Sequence, residues 1–227
     1  MAKDKLRDPK KKKNKIIIVP EEKRKPIIIP QHFRERRRRE IHKIYTNIMS
    51  TTLNEEEKIY ANLKKYYDAE KMIELFYEIL ENNLSIILQE IQDIYKITNS
   101  SIINLEDILF NKDGKTLEER INNWFLLYED PKEIWNLFSR LNAILETEKY
   151  HMIPKIIKLK VEVEYIEVFR NDEDCFSGVC EEYADEEAHF ADDWEEPPYH
   201  TRCVCEAYFY TEEEIRQNLD DDQDPTI

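Results

Sequence analysis

An α+β fold is predicted, with a mainly helical body and a small C-terminal β ribbon carrying a Cys/His-rich loop. Three observations predict it. Apolar residues recur at three- and four-residue steps through residues 41–155, the period of a helix with one buried face. In "IIKLKVEVEYIEVF" the period shortens to two: Ile157, Leu159, Val161, Val163 and Tyr165 alternate with other residues, mostly charged, as in a strand with one wet face. All four cysteines then fall between residues 175 and 205, where the ribbon would turn back.

The chain has 227 residues, 41% hydrophobic and 11% aromatic, enough for one packed domain plus tails. It holds only two glycines, and neither Gly-x-Gly-x-x-Gly nor a Walker-type run occurs. Phosphate-cradling turns need glycine, so Rossmann and P-loop chemistry is excluded. The net charge of −15 hides a polarity: residues 1–40 carry 16 Lys/Arg against 6 Asp/Glu, and the remainder 18 against 43. Such a chain fits a polyanionic partner or a head-to-tail contact with a like-charged neighbour, or simply has two solvated ends. No apolar run approaches the roughly 20 residues that span a bilayer. The N-terminus has lysines but no apolar signal segment, so the thiols are expected to form in a reducing cytoplasm.

In order, the chain divides into a basic extended arm (1–40), a helical body (41–155), a strand–loop–strand Cys/His module (156–212) and an acidic tail (213–227). Pro9, Pro20, Pro26 and Pro30 prevent a continuous helix in the arm, and Lys10 to Lys13 repel one another. Its "IIIV" and "III" runs suit short edge strands added to a neighbouring chain. A helical region opens at "FRERRRRE", whose arginines 36–39 cover every side of one turn, so some must face acids. Thr52 with Glu55, and Thr116 with Glu119, read as capping boxes. The strongest helix is 69–97, with Met72, Ile73, Leu75, Phe76, Ile79, Leu80, Leu84, Ile87, Leu88, Ile91, Ile94 and Tyr95 recurring at three- and four-residue steps as its stripe. Gly114 in "NKDG" marks a turn. Asp130-Pro131 starts a helix with Ile134, Trp135, Phe138, Leu141, Ile144 and Leu145 on one face, which Pro154 bends or ends. "CEAYFYTEE" is the expected partner strand.

The cysteine window reads Cys175-x4-Cys180, nineteen residues, then His200-x2-Cys203-x-Cys205. Thiolates and imidazole suit tetrahedral zinc, and two close pairs joined by a loop build a structural zinc knuckle. Cys175, Cys180, His200, Cys203 and Cys205 are thus five candidates for four places around one structural zinc ion. A disulfide or plain buried thiols are the alternatives. His189 is a sixth candidate, more simply a solvated residue of an acidic loop. A cysteine nucleophile is disfavoured, because the dense acids around it oppose a thiolate. No catalytic residue is assigned, and no enzyme is expected.

Residues 114–210 resemble the phage head morphogenesis proteins, minor capsid proteins similar to the F protein of phage Mu. Thr147-Glu148 matches the end of the family's Arg-Thr-Glu stretch, and Asp172 and Asp174 its acidic turn. Pro197, Pro198, His200, Cys203 and Cys205 match its closing motif one for one. Thr201 stands where the family has proline, and Val204 where it has arginine. The first cysteine pair is spaced by four residues instead of two. The resemblance implies a structural virion component, made in the host cytoplasm, that acts in head assembly or genome packaging. Its implied partner is the portal or capsid protein. The basic arm adds packaged DNA as a further expected partner, through phosphates and without sequence readout. The alternative is a zinc-stabilised nucleic-acid-binding or interaction protein.

Overall fold

The computed structural model describes residues 26–97, 102–110, 114–170, 180, 187–194, 197–198, 203 and 205–221. It is mainly helical, with a small C-terminal three-stranded antiparallel sheet. The helices are α1 (Gln31–Ser50), α2 (Thr52–Tyr66), α3 (Ala69–Tyr95), α4 (Leu117–Leu127), α5 (Ile134–Lys160) and α6 (Glu212–Asp221). The strands are β1 (Tyr165–Phe169), β2 (His189–Phe190) and β3 (Glu206–Tyr210), in the order β2-β1-β3.

α1 buries Phe33, Arg37, Ile41, Ile44, Tyr45 and Ile48, one stripe at helical spacing. Thr51 keeps right-handed helical angles (φ −81°, ψ −14°), so α2 continues almost where α1 stops. Thr52 and Glu55 make no capping box. Glu55 instead turns inward, because the fully buried ammonium of Lys149 on α5 sits 2.5 Å away and Asn83 of α3 donates to its other oxygen. Burial pulls Lys149 below its ordinary pKa, and Glu55 opposes that pull. α3 buries Met72, Phe76, Ile79, Leu80, Leu84, Ile87 and Ile91 of its expected stripe, while Ile73, Leu75, Leu88, Ile94 and Tyr95 flank it and are only partly buried. Its N-cap Asp68 accepts from the Lys71 amide.

Gly114 takes φ +71°, and Thr116 with Glu119 closes a full capping box at the start of α4. Asp130 and Pro131 open a short 3-10 turn that leads into α5. Pro154 lies inside α5 and the helix runs on to Lys160, so Ile157 and Leu159 are helical and the expected strand starts only at Tyr165. Lys158 and Lys160 in the last turn suit a helix C-terminus. Trp135 departs from the apolar face and is exposed. β1 and β3 pair as expected, Tyr165 with Tyr210 through Phe169 with Glu206.

The arm is shorter than its charge pattern implies. Residues 1–25 lie outside the described residues, but 31–40 form the first half of α1. Helical spacing puts Arg34, Arg37 and Arg38 on one side, and that side meets acids of the C-terminal segment. Ile27 makes a two-way backbone bridge with Ala188 of its own sheet, and Ile29 is buried. Ile27 of this run therefore bridges to its own chain; the "IIIV" run lies outside the described residues. The acidic segment from 213 is likewise helical as far as Asp221, with Ile215 buried and Glu214 paired to Arg37.

The sheet packs on α1 and on the C-terminal ends of α3 and α5. The outer edge of β3 is covered by two phenols: the Ala207 amide donates to Tyr45 Oη (3.5 Å), and Tyr95 Oη donates to the Phe209 carbonyl (3.0 Å).

Candidate metal centre

Cys203 and Cys205 lie just before β3, and Cys180 lies in the connection between β1 and β2. Cys203 and Cys205 are both buried, and Cys180 meets them. All three are buried free thiols. Their sulfurs lie within 4.8 Å of one another, and Cys180 Sγ is 3.7 Å from Cys203 Sγ.

That spacing is too long for a disulfide, whose sulfurs stand about 2.05 Å apart. It fits a metal. Four sulfurs around zinc at about 2.3 Å form a tetrahedron with edges of about 3.8 Å. The three cysteines can therefore hold an ion such as zinc, and the donor set suits a soft or borderline cation. The Cys205 thiol is pushed far above its ordinary pKa, first by its hydrogen bond to Cys203, then by burial and the nearby thiol charges. Ionising several thiols here without a cation would bury uncompensated like charges. A divalent ion removes that conflict by taking the sulfurs as thiolates.

Of the five residues expected as ligands, three come together: Cys180, Cys203 and Cys205. Cys175 and His200 lie outside the described residues. His189 stacks flat on Trp194 (3.7 Å between ring centres, 6° between planes) and does not join the thiol group.

A polar clamp around the sheet had no counterpart in the ligand reading. Glu167 of β1 is fully buried, paired with Arg38 and, at 3.3 Å, with Arg34; it also accepts from Tyr210 Oη at 2.9 Å. Glu206 lies 2.8 Å from His42 Nδ1 and accepts from Tyr208 Oη at 2.6 Å. Burial and the neighbouring carboxylates push both tyrosines far above the ordinary phenol range, so they stay donors. The only sequence signal for this clamp is the spacing of Arg34, Arg37 and Arg38.

Thr147 and Glu148 have internal work. Thr147 donates to the Ala143 carbonyl (2.6 Å). Glu148 pairs with Arg120 of α4 and accepts from the Phe110 amide (2.7 Å), tying the preceding turn and α4 to α5. Burial raises the Glu148 pKa, against the lowering effect of Arg120. No protein-family model matches the chain, and no match emerges among curated proteins or solved structures.

Proposed function

We propose that this protein is a minor structural component of a phage virion, acting in head morphogenesis near the portal or inner capsid surface and without catalytic turnover. The buried thiol group carries the reading. Three inward cysteines, tied to a small sheet that is itself bolted to α1 by ion pairs, make a staple and leave no exposed nucleophile among them. One zinc ion would be held by Cys180, Cys203 and Cys205, with the fourth place taken by Cys175 or His200.

The basic residues before Pro26 contact packaged DNA through its phosphates in this reading, while the helical body contacts the portal or capsid protein. Residues 1–25 hold eleven Lys/Arg against four Asp/Glu, and Arg34, Arg37 and Arg38 are engaged within the fold. DNA contact therefore falls mainly to the segment before α1.

Mass spectrometry of purified particles tests the assignment. The chain is expected in a few copies per virion, and its absence from particles made by cells that express it would overturn the proposal. The second reading, a zinc-stabilised nucleic-acid-binding protein, is favoured by the same basic segment. A complex with one preferred DNA sequence that survives moderate salt would select it, since pure phosphate contact weakens steeply as salt rises.

A further inference from the structure

The end of the helical body farthest from the sheet is built from the last turns of α2 and α4 and the first turns of α3 and α5. Tyr67 joins these elements: its hydroxyl donates to the carbonyls of Tyr128 (2.7 Å) and Asp130 (3.1 Å), and its ring meets Phe125 edge-on. Around this joint the chain exposes apolar surface. Leu126 is 69% exposed, Leu127 63%, Trp135 62% and Tyr66 48%. These are four of the nine large apolar side chains that the described residues expose, gathered at one end. Trp135 is held in place by stacking on Tyr60 (4.7 Å, 23°), so this surface is already ordered.

We propose that this end is a homodimer interface, covered by the same end of a second copy of the chain. Charge selects the occupant. The stretches 57–71 and 121–140 that form this end hold six Lys/Arg and six Asp/Glu, a net charge of zero. The whole chain carries −15, and residues 171–227 hold twenty acids against two bases. A strongly charged partner finds no complementary field here, whereas two copies of an acidic protein meet without repulsion at this end. α3 and α5 are 27 residues each, about 40 Å long. An end-to-end pair thus holds the two acidic sheet ends roughly 80 Å apart, many times the Debye length of about 8 Å. A two-fold contact uses one patch twice and closes on itself. With aromatic rings and leucines from both copies, it buries on the order of 1,000 Å², at the low end of specific interfaces.

Sedimentation velocity on the full chain tests this. The expected result is a monomer that becomes a dimer with rising concentration, with an affinity that changes little with salt, since the contact is net-neutral and the acidic ends stand far beyond the screening length. Leu127→Glu, at an exposed position, should return the protein to monomer with an unchanged melting curve, and Trp135→Glu should do the same with a slightly lowered one, since it also removes the stack on Tyr60. Leu159→Glu, exposed near the sheet instead, should leave the dimer intact. A monomer at every concentration overturns the proposal. So does a dimer that survives both interface substitutions, or one that Leu159→Glu disrupts equally.

Discussion

The two ends of α5 are held by different forces. At its N-terminal end rings pack on rings: Tyr60 on Trp135 and Phe138, and Tyr67 on Phe125. At its C-terminal end the sheet is fixed by Glu167 and Glu214 against the α1 arginines, by Glu206 against His42, and by a group of three thiols. The reason is area. Strands of five, two and five residues offer little apolar surface, and so small a sheet needs a helix to pack on and staples to hold it there. The helical end has area to spare and exposes some of it.

Several experiments would sharpen or break this contrast, and metal removal is expected to act most strongly. A structural zinc contributes about 10–16 kcal/mol of binding free energy at neutral pH. Chelation under reducing conditions should lower the melting midpoint while most far-ultraviolet helical signal persists, and Cys203→Ala should abolish bound zinc. The pH dependence has a defined sign. Without metal, the native Cys205 thiol ionises far above its unfolded value of about 8.5. The metal-free fold therefore keeps this contribution below about pH 8.5 and loses it as pH rises further. The metal-loaded protein weakens in the other direction, as protons compete for the thiolates at low pH. Melting midpoints against pH, with and without chelator, check both slopes; a metal-free midpoint that rises in alkali would contradict them.

Glu167→Ala comes next. It strands Arg34, Arg38 and the Tyr210 hydroxyl around a buried gap, and losing one member of such a group costs about 3–5 kcal/mol. Urea unfolding would read the loss, and Glu167→Gln should recover part of it. In the helical half, Thr116→Ala removes the acceptor for the Glu119 amide, for a loss of about 1 kcal/mol. The smallest effect is a gain. Lys96 ends α3 in the left-handed region (φ 52°), where glycine is unstrained, so Lys96→Gly should add a few tenths to about 1 kcal/mol.

Local patterns were legible and distant pairings were not. The Thr116 capping box, the positive φ at Gly114 and the buried part of the α3 stripe all follow from residues a few positions apart; the pairing of β1 with β3 is the one distant match that alternation in both segments made legible. Alternation over 157–163 misled because a helix of mixed Ile, Leu and Lys also satisfies it. α5 runs six residues, nearly two turns, beyond Pro154. Thr52 and Glu55 fit a capping box until Lys149, 94 residues away, claims the carboxylate. Arg34 meets Glu167 across 133 positions, a distance at which no spacing rule operates. Within the site, the closeness of Cys203 and Cys205 is readable from their two-residue spacing. The meeting with Cys180 depends on how the loop returns.

The phenols of Tyr45 and Tyr95 have a consequence for how this molecule can join others. By occupying backbone groups on the rim of β3, they shut that side to strand donation by a stranger. Addition is left to the opposite rim, where Ile27 already sits against Ala188. A newcomer there must evict the chain's own segment, so runaway stacking of sheets into fibrils is opposed from both flanks.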